Sequence, residues 1–280
     1  MTGCGVGAPP SPPPVPLPGT GRSAPSSGAA PSTASPPSAT ASGQDSPADI
    51  LRRLGVPVLC YHQIREQTAS DSAGARPLIC PPDVLEQQLV ALRDDGMVPV
   101  TGTQLVDYLQ LGTPLPPRAI LLSFDDASAG QFGNALPVLQ RLGMPATFFV
   151  MTVVLDKPNW LSRDQVRELD AAGMTIAAHT WDHHPVTEYA GADWHTQLER
   201  PKAELEQILG HGVDLFAYPY GAWNRAVLPH VQHAGYRAAF QLNDQPADHE
   251  RPLLTIPRLL TPPTWDTPTL LRTVGNVASR

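Results

Sequence analysis

The amino-acid sequence predicts an α/β fold: a distorted (β/α) barrel of seven or eight strands, preceded by a disordered N-terminal tail. From residue 56 onward, short apolar runs alternate with segments whose apolar residues recur at helical spacing. This alternation is typical of parallel strands joined by helices, and about 230 residues suits a single barrel. The hydrophobic content of 41% is sufficient for one large core. An open, doubly wound sheet is the alternative arrangement of the same elements.

Residues 1–48 differ in composition from the rest of the chain. They are almost wholly Gly, Pro, Ser, Ala and Thr, and many of the 33 prolines lie here. A segment with so few aromatic and branched apolar residues cannot bury enough surface to offset the loss of chain entropy. We therefore expect residues 1–48 to be a disordered tether and residues 49–280 to form the folded domain.

The first half of the predicted barrel runs to residue 150. A strand at 56–60 opens it, and a helix at 82–93 follows, with Val84, Leu85, Leu89 and Leu92 at helical spacing. Asp94-Asp95-Gly96 stops that helix. The next elements are a strand at 98–100, a helix at 103–109, a strand at 119–124, a helix at 134–142 that Gly143 ends, and a strand at 146–150.

The second half repeats the alternation. Ser162 and Gln165 form a capping box that opens a helix reaching Ala172, and Gly173 stops it. Asp193 can cap a longer helix reaching residue 209, although Pro201 should kink that helix or split it in two. The remaining elements are strands at 175–178, 215–218, 237–241 and 255–259, a helix at 224–234 and a C-terminal helix from residue 268.

The composition argues against several classes of function. The net charge is −7 and no basic run is present, which argues against nucleic acid as a partner. The longest apolar run, 146–155, is half of the roughly 20 residues that a membrane-spanning helix needs. The cysteines match no zinc spacing, and the spacing leaves open whether Cys60 and Cys80 are bonded or free.

The first four residues, Met-Thr-Gly-Cys, are similar to the end of a bacterial lipoprotein signal, in which a small residue precedes a cysteine that becomes lipidated. Cys4 is therefore a candidate membrane tether. The charged and apolar parts of such a signal are missing, so this interpretation requires a start upstream of Met1. The alternative is an ordinary cysteine in a disordered tail.

Reactive side chains follow several predicted strands, at the edge where both candidate folds carry their functional surface. Asp125 and Asp126 follow the strand at 119–124, and His179 follows the strand at 175–178, with His183 four residues later. Two unpaired, desolvated carboxylates disfavour each other's ionisation, and a bound cation removes that cost. One carboxylate can then bind the metal with the imidazoles, while the other accepts a proton.

Each of these motifs alone has a simpler explanation. A bare Asp pair is more often solvated or a helix cap, and two histidines at this spacing often occur by chance. Their expected meeting at one barrel rim is what favours a metal site. His184 leaves open whether the second imidazole ligand comes from residue 183 or 184.

The combination resembles the NodB-homology polysaccharide deacetylases, carbohydrate esterase family 4. Ser123-Phe124-Asp125-Asp126 is similar to the family's T/S-F-D-D motif, and the segment from His179 to His183 is similar to its H-T/S-x-x-H motif. Residues 216–221, FAYPYG, resemble the third motif. Residues 57–64, PVLCYHQI, resemble the opening strand of the branch that includes poly-N-acetylglucosamine deacetylases. The resemblance covers roughly residues 56–260.

This resemblance implies one divalent metal ion, expected to be zinc, held by Asp126, His179 and His183. It implies that Asp125 is the general base and that the backbone N–H of Tyr220 stabilises the developing oxyanion. The implied reaction is hydrolysis of acetyl groups, N-acetyl in the first place, on a polysaccharide or oligosaccharide. Residues 49–280 would then be the catalytic domain.

Two features of the family are missing from their usual places. The arginine that begins the third motif and orients the base is Ala217 here, and Arg258 is the nearest candidate to replace it. The late leucine-histidine motif that provides the general acid is not evident, and His62 is our candidate for that proton donor. The alternative for His62 is a histidine hydrogen-bonded in the barrel wall. Three tryptophans could either floor a sugar groove or fill the core: Trp181, Trp223 and Trp265.

Two other functions compete with deacetylation. Another metal-dependent barrel hydrolase, such as a phosphoesterase, should show extra ligands or a basic clamp. A non-catalytic carbohydrate-binding relative would be favoured by loss of His179 or Asp126, and both are present. We expect a monomer, secreted or lipid-anchored at the bacterial surface, that acts on an acetylated polymer.

Overall fold

The computed structural model describes residues 45–242 and 244–279. Cys4 and most of the predicted tether, residues 1–44, lie outside this part of the chain, as do Asn243 and Arg280. The first described element is helix α1 (Pro47–Arg53), whose N-cap Ser46 accepts a hydrogen bond from the N–H of Asp49. This helix was not predicted, because it begins inside the Pro/Ser-rich segment.

Ten short strands follow in the described part of the chain, and eight of them form one sheet with only parallel pairings. They are β1 (Val58–Tyr61), β2 (Gln63–Ile64), β3 (Ile79–Cys80), β4 (Val98–Val100), β5 (Ala119–Asp125), β6 (Thr147–Val150), β7 (Thr175–Ala178), β8 (Leu215–Ala217), β9 (Ala238–Phe240) and β10 (Leu259–Leu260). The main sheet has the order β10-β1-β5-β6-β7-β8-β9, with β4 also paired to β5. Strands β2 and β3 form a separate parallel pair.

The main sheet curls until one segment of chain joins its two ends. Ile256 bridges to Phe240 in β9, and Leu259 and Leu260 pair with β1. The prediction of a distorted barrel is therefore confirmed, and the open doubly wound sheet is not what the chain forms. The predicted strand at 255–259 is wrong in its bounds, because Pro252–Thr255 is a 3-10 turn and Pro257 has no N–H to donate to a ladder.

Among residues 45–242 and 244–279, seven further α-helices surround the sheet. They are α2 (Pro82–Asp94), α3 (Gly102–Leu111), α4 (Leu136–Leu142), α5 (Arg163–Ala171), α6 (Arg200–Leu209), α7 (Leu228–His233) and α8 (Thr267–Ala278). The predicted capping box of α5 is confirmed, since Ser162 and Gln165 exchange backbone–side-chain hydrogen bonds. Helix α7 is shorter than predicted, because the Asn224 side chain accepts from the N–H groups of Ala226 and Val227 and holds a turn instead.

Two helices begin with a π turn, Gln131–Ala135 before α4 and His195–Glu199 before α6. The residue after each turn donates its N–H to the carbonyl five residues back. Each turn is followed by a proline in the first turn of the α-helix, Pro137 or Pro201. A proline lacks the N–H, and its ring displaces the carbonyl four residues back, which accounts for the widened turn. The break predicted at Pro201 takes this form.

The alternation of side chains along β5 separates two apolar clusters. Leu122 and Phe124 face the outer layer, between the sheet and the helices, whereas Leu121 faces the inside of the curled sheet. The inner cluster is completed by residues of α1, α3 and the other strands, among them Ile50, Val58, Leu105, Val106, Leu109, Phe149, Ala177, Ala217, Phe240 and Ile256. Ser123 and Asp125 continue the inward face of β5, so polar groups occupy the carboxyl end of the interior.

Two further expectations concern thiols and membranes. Cys60 and Cys80 are both buried, free thiols, so they form no disulfide. Across the described ranges, every helix is too short or too polar to span a bilayer.

A glycine at the start of the helix after β5 sets how closely β2 approaches. A Cβ on Gly130 would lie 2.2 Å from the carbonyl oxygen of Ile64, whereas a Cβ on Gly133 would meet nothing within 4 Å. We expect Gly130→Ala to lower the free energy of unfolding by about 1–3 kcal/mol, because backbone must move. Gly133→Ala is the matched control and should leave it unchanged or raise it by up to about 1 kcal/mol. Urea denaturation measures both, and equal midpoints for the two variants would contradict this account.

Candidate active site

The site lies at the carboxyl ends of the central strands, where the sequence analysis expected it. Asp125 ends β5, His179 follows β7, and Tyr220 lies in the turn after β8. His62 follows β1 on the neighbouring side. These side chains belong to loops far apart in sequence, and the parallel sheet brings their starting points to one edge.

Asp126, His179 and His183 converge on one point. The Nε2 atoms of His179 and His183 each lie 3.4 Å from Oδ1 of Asp126. One ligand atom from each of the three residues fits within 4.8 Å of the others. The three residues that the sequence analysis grouped are therefore brought together.

The donor set suits a divalent cation. Oδ1 of Asp126 is buried and receives no hydrogen bond from any described residue. Nδ1 of His179 lies 2.8 Å from the carbonyl oxygen of Ala217, so Nδ1–H donates there and Nε2 faces Asp126. Such a backbone acceptor is the usual support of a metal-binding imidazole. Two imidazoles and one carboxylate form a common ligand set for zinc.

The two imidazoles have different electrostatic surroundings. Burial alone would lower the pKa of His179, but the carboxylates of Asp125 and Asp126 outweigh it and raise that pKa. Burial, and after it the neighbouring His179, lower the pKa of His183 to about 4. The two imidazoles of the triad therefore differ in how readily they take up a proton.

The contacts of the His183 and His184 side chains indicate which of the two imidazoles could be a metal ligand. His184 is exposed and lies 3.5 Å from Glu188, and its ring stacks on Tyr189. The His183 ring instead lies edge-on to His179, with 4.9 Å between centroids. His183 is the imidazole that could share a metal with His179.

The loops of the site hold several non-glycine residues at positive φ. Asp126 and Ala127 have φ of 78° and 67°, and Thr180 and His183 have φ of 66° and 68°. This left-handed conformation is costly for residues with a Cβ and commonly marks functional loops. At Asp126 it ends the alternation of β5, which turns this carboxylate away from the position of Asp125.

Asp125 is held by a buried arginine. Nη1 and Nη2 of Arg258 lie 2.6 and 2.7 Å from its two carboxylate oxygens, and both side chains are almost fully buried. Nη1 also donates to Oγ of Ser123, 3.3 Å away, and that hydroxyl donates in turn to the carbonyl of Leu59. Arg258 therefore contacts Asp125 in the way expected of the replacement for the arginine missing at Ala217. Ser123 contacts this pair, a role the sequence analysis did not assign to it.

The ion pair determines the charge of Asp125. Burial alone would raise the pKa of Asp125, but Arg258, and after it His179, hold that pKa far below its usual range. The carboxylate is therefore ionised throughout the neutral pH range. A second group of candidate ligands, Cys60, His62 and Asp125, also lies within 4.8 Å. Because both Asp125 oxygens are bound by a cationic guanidinium, this group does not suit a second cation.

His62 is buried beside Asp125 with only 9% of its surface exposed. Burial lowers the pKa of His62, although Asp125 and Asp126 partly oppose that shift. Its imidazole is therefore neutral at pH 7. Nδ1 of His62 lies 4.0 Å from Sγ of Cys60, and the structure places this ring against the proposed base rather than in a distant part of the wall.

Tyr220 lies at the rim of the triad. Its side chain is 66% exposed, and its ring is edge-on to His183, with centroids 4.5 Å apart. Tyr220 has φ 58° and the following Gly221 has φ 65°. A Cβ on Gly221 would lie 2.2 Å from the backbone nitrogen of Leu242, so only glycine fits and the turn is fixed in place.

The tryptophans do not form an open platform. Trp223 is buried and donates its indole N–H to Gln241, which is the core-filling alternative. The guanidinium of Arg200 covers the Trp181 ring at 5.5 Å, and Trp265 packs against the outer apolar cluster.

The buried ion pair gives a stability prediction. We expect Arg258→Leu to lower the free energy of unfolding by about 3–5 kcal/mol, because it leaves the Asp125 charge buried and unpaired. The double variant Arg258→Leu/Asp125→Leu should regain most of this loss, as judged by urea denaturation. Arg118→Leu, which breaks the exposed pair with Asp95, is the control and should cost less than about 1 kcal/mol. Strictly additive losses in the double variant would show that the two side chains are not coupled.

Comparison with known proteins gives the same assignment as the site geometry. Residues 112–239 match the family model described as "Polysaccharide deacetylase". The match includes the Asp pair, both imidazoles and Tyr220, and it leaves out His62 and Arg258.

Three similar proteins illustrate the relation. The poly-beta-1,6-N-acetyl-D-glucosamine N-deacetylase of Escherichia coli K12 is 24% identical over 249 residues, covering 74% of this chain and 36% of that protein. The enzyme of the same name from Staphylococcus aureus MRSA252 is 25% identical over 189 residues, covering 62% of this chain and 65% of that protein. The chain thus spans about a third of the E. coli relative.

A solved structure, the Streptococcus pyogenes deacetylase PplD in complex with acetate, superposes with a TM-score of 0.72 at 25% identity. The superposition covers 78% of this chain and 97% of that one. With the family motifs gathered at the strand ends of a curled parallel sheet, residues 112–239 of this chain form a domain of the polysaccharide deacetylase family.

Proposed function

We propose that this chain is a metal-dependent hydrolase that removes acetyl groups, N-acetyl in the first place, from a polysaccharide or oligosaccharide. The proposal rests on two features that lie side by side: a group of candidate metal ligands and an ionised carboxylate. Asp126, His179 and His183 form a triad that could hold a cation. Beside it, Asp125 is kept ionised by Arg258.

Asp126, His179 and His183 would hold one divalent ion, and their nitrogen and oxygen donors favour zinc. When bound, such an ion supplies Lewis-acid chemistry: it polarises a carbonyl oxygen and makes water more acidic. The buried Oδ1 of Asp126, which lacks a hydrogen-bond donor from the described chain, supports this assignment.

Asp125 would act as the general base. Its two oxygens are already bound by Arg258, which leaves one lone pair on each oxygen to receive a proton from the attacking water. The guanidinium both orients the carboxylate and keeps it unprotonated. A base with a depressed pKa is weak, so this arrangement depends on a water that has itself become more acidic.

His62 would deliver a proton to the leaving amine. Because its imidazole is neutral at pH 7, it must first gain a proton, and Asp125 is the neighbour positioned to pass one on. The backbone N–H of Tyr220 would stabilise the developing oxyanion from the other side of the triad. The close packing of Gly221 on Leu242 supports this role, since it fixes the turn that carries the N–H.

The relatives' names support a polymer of N-acetylglucosamine as the substrate. We propose further that the protein acts as a monomer outside the cytoplasm, at the bacterial surface, either secreted or held there through Cys4. A phosphoesterase is less well supported, because Arg258, the arginine that contacts Asp125, is buried and paired with that carboxylate. A purely carbohydrate-binding role does not account for the buried, ionised Asp125.

The proposal predicts acetate release from β-1,6-linked N-acetylglucosamine oligomers by the purified chain supplied with zinc. Acetylated xylan should release less, since an ester substrate is the secondary expectation. A chelator should abolish release, because the triad would lose its cation, and added divalent metal should restore it. Acetate is measured by a coupled enzymatic assay. Undiminished release after complete metal removal would rule out the metal-dependent proposal.

Two variants should separate base from metal ligand. Asp125→Asn should lower acetate release more than about 100-fold while bound zinc stays near one per chain, because the base is lost and the triad is kept. His179→Ala should lose most of the zinc, measured by elemental analysis after dialysis.

The matched control for these variants is His184→Ala, at an exposed imidazole outside the triad, which should keep both the metal and the activity. An Asp125→Asn variant that still releases acetate would remove Asp125 as the base. A His179→Ala variant with wild-type zinc content would make the ligand assignment wrong.

A further inference from the structure

Gln131 connects the two strand ends that carry the proposed acid and base. Its side chain is fully buried, and Nε2 donates to the backbone carbonyls of His62, at 2.9 Å, and of Asp125. Both partners are acceptors only, so the orientation of the amide is determined by its surroundings. Oε1 of Gln131 receives no hydrogen bond from the described residues, and a buried acceptor in that condition destabilises the fold. Gln131 therefore holds β1 and β5 together at an energetic cost.

Gln197 contacts the loop between the two imidazoles of the triad in a similar way. It is 6% exposed, and its Oε1 accepts from the N–H groups of Trp181 and Asp182 at 3.2 and 3.4 Å. Its Nε2 donates to Oδ1 of Asp182 at 2.8 Å. One amide thus binds three groups of the loop that leads from His179 to His183, and that loop contains positive φ angles that need external support.

The two glutamines share an origin in the fold. Gln131 is the first residue of the π turn before α4, and Gln197 lies in the π turn before α6. A π turn adds one residue to a helical turn, which rotates the side chains before it relative to the α-helix that follows. Such turns are frequent at functional sites. In this chain each of the two turns presents one buried amide to one loop of the site.

We propose that Gln131 and Gln197 are positioning residues with separate tasks: Gln131 sets the relative position of Asp125 and His62, and Gln197 sets the position of His183 for metal binding. The inference rests on the proposed function. It adds that the two π turns, widened by Pro137 and Pro201, are the elements that place the base and the ligand loop. Neither glutamine contacts the triad with its own side chain, so both act through the loops they hold.

The test uses the same substitution, glutamine to methionine, at three positions of the full chain. Gln131→Met should lower kcat about tenfold or more while leaving KM and the zinc dissociation constant within about twofold of wild type. Gln197→Met should raise the zinc dissociation constant about 10–100-fold, measured by competition with a chromophoric chelator, a range typical for supports of metal ligands.

Gln88→Met is the matched control. Gln88 is also buried, on the regular helix α2, where it accepts from the Tyr61 hydroxyl and donates to the carbonyls of Pro262 and Trp265. This variant should lose stability in urea but keep the zinc affinity and kcat of wild type. If all three variants change stability alone, the glutamines are ordinary core residues and the inference is overturned.

Two outcomes distinguish this inference from the proposed function. A wild-type chain that neither binds zinc nor releases acetate would overturn the proposed function, and the inference with it. A wild-type chain that is active, with Gln131→Met and Gln197→Met both behaving as Gln88→Met does, would overturn the inference alone. Loss of zinc affinity in Gln131→Met but not in Gln197→Met would overturn the assignment of separate tasks.

Discussion

The ion pair between Arg258 and Asp125 is the interaction on which the barrel and its site both depend. It joins residues 133 positions apart and places two opposite charges at the polar end of the interior, next to the inner apolar cluster. Each nitrogen of the guanidinium donates at least one hydrogen bond, to Asp125, to Ser123 or to the carbonyl of Gln241, and the Phe149 ring lies 5.0 Å away. Burying such a pair is favourable only when the remaining donors are bound as well. The same contact fastens the closing segment of the sheet and holds the proposed base.

The parts of the site that the sequence predicted are those encoded by short motifs beside strands. Asp125 and Asp126 are adjacent, and His179 and His183 lie in one loop, so a strand followed by reactive groups was enough to place them at one rim. Arg258 was named only as the nearest candidate to replace the missing arginine, because its contact with Asp125 depends on the closure of the curled sheet. No spacing rule relates residues so far apart. Whether His62 gives up a proton remains a prediction, and the structure places it beside Asp125.

Local sequence rules also explain where the elements were misplaced. Helix α1 begins within a segment whose composition is that of a disordered chain, and its cap at Ser46 follows ordinary N-cap chemistry. The strand at 255–259 was displaced by Pro257, and the helix at 224–234 was shortened by the Asn224 side chain. Pro201 correctly indicated an irregular helix, but the direction of the Gln197 side chain depends on its contacts with the ligand loop. Proline positions therefore predict where a helix or strand is irregular, but they do not predict which contacts the irregular segment makes.

Residues 256–260, which join the two ends of the sheet, supply one part of the proposed site, and the proposed cation ligands come from another part of the chain. Asp126, His179 and His183 lie inside the stretch that matches the family model, whereas Arg258, the counterion of the proposed base, lies in the segment that closes the ring. During biosynthesis the proposed cation ligands are therefore translated well before Arg258. An open ring would leave the proposed base without its guanidinium partner, so the orientation of Asp125 depends on closure of the sheet.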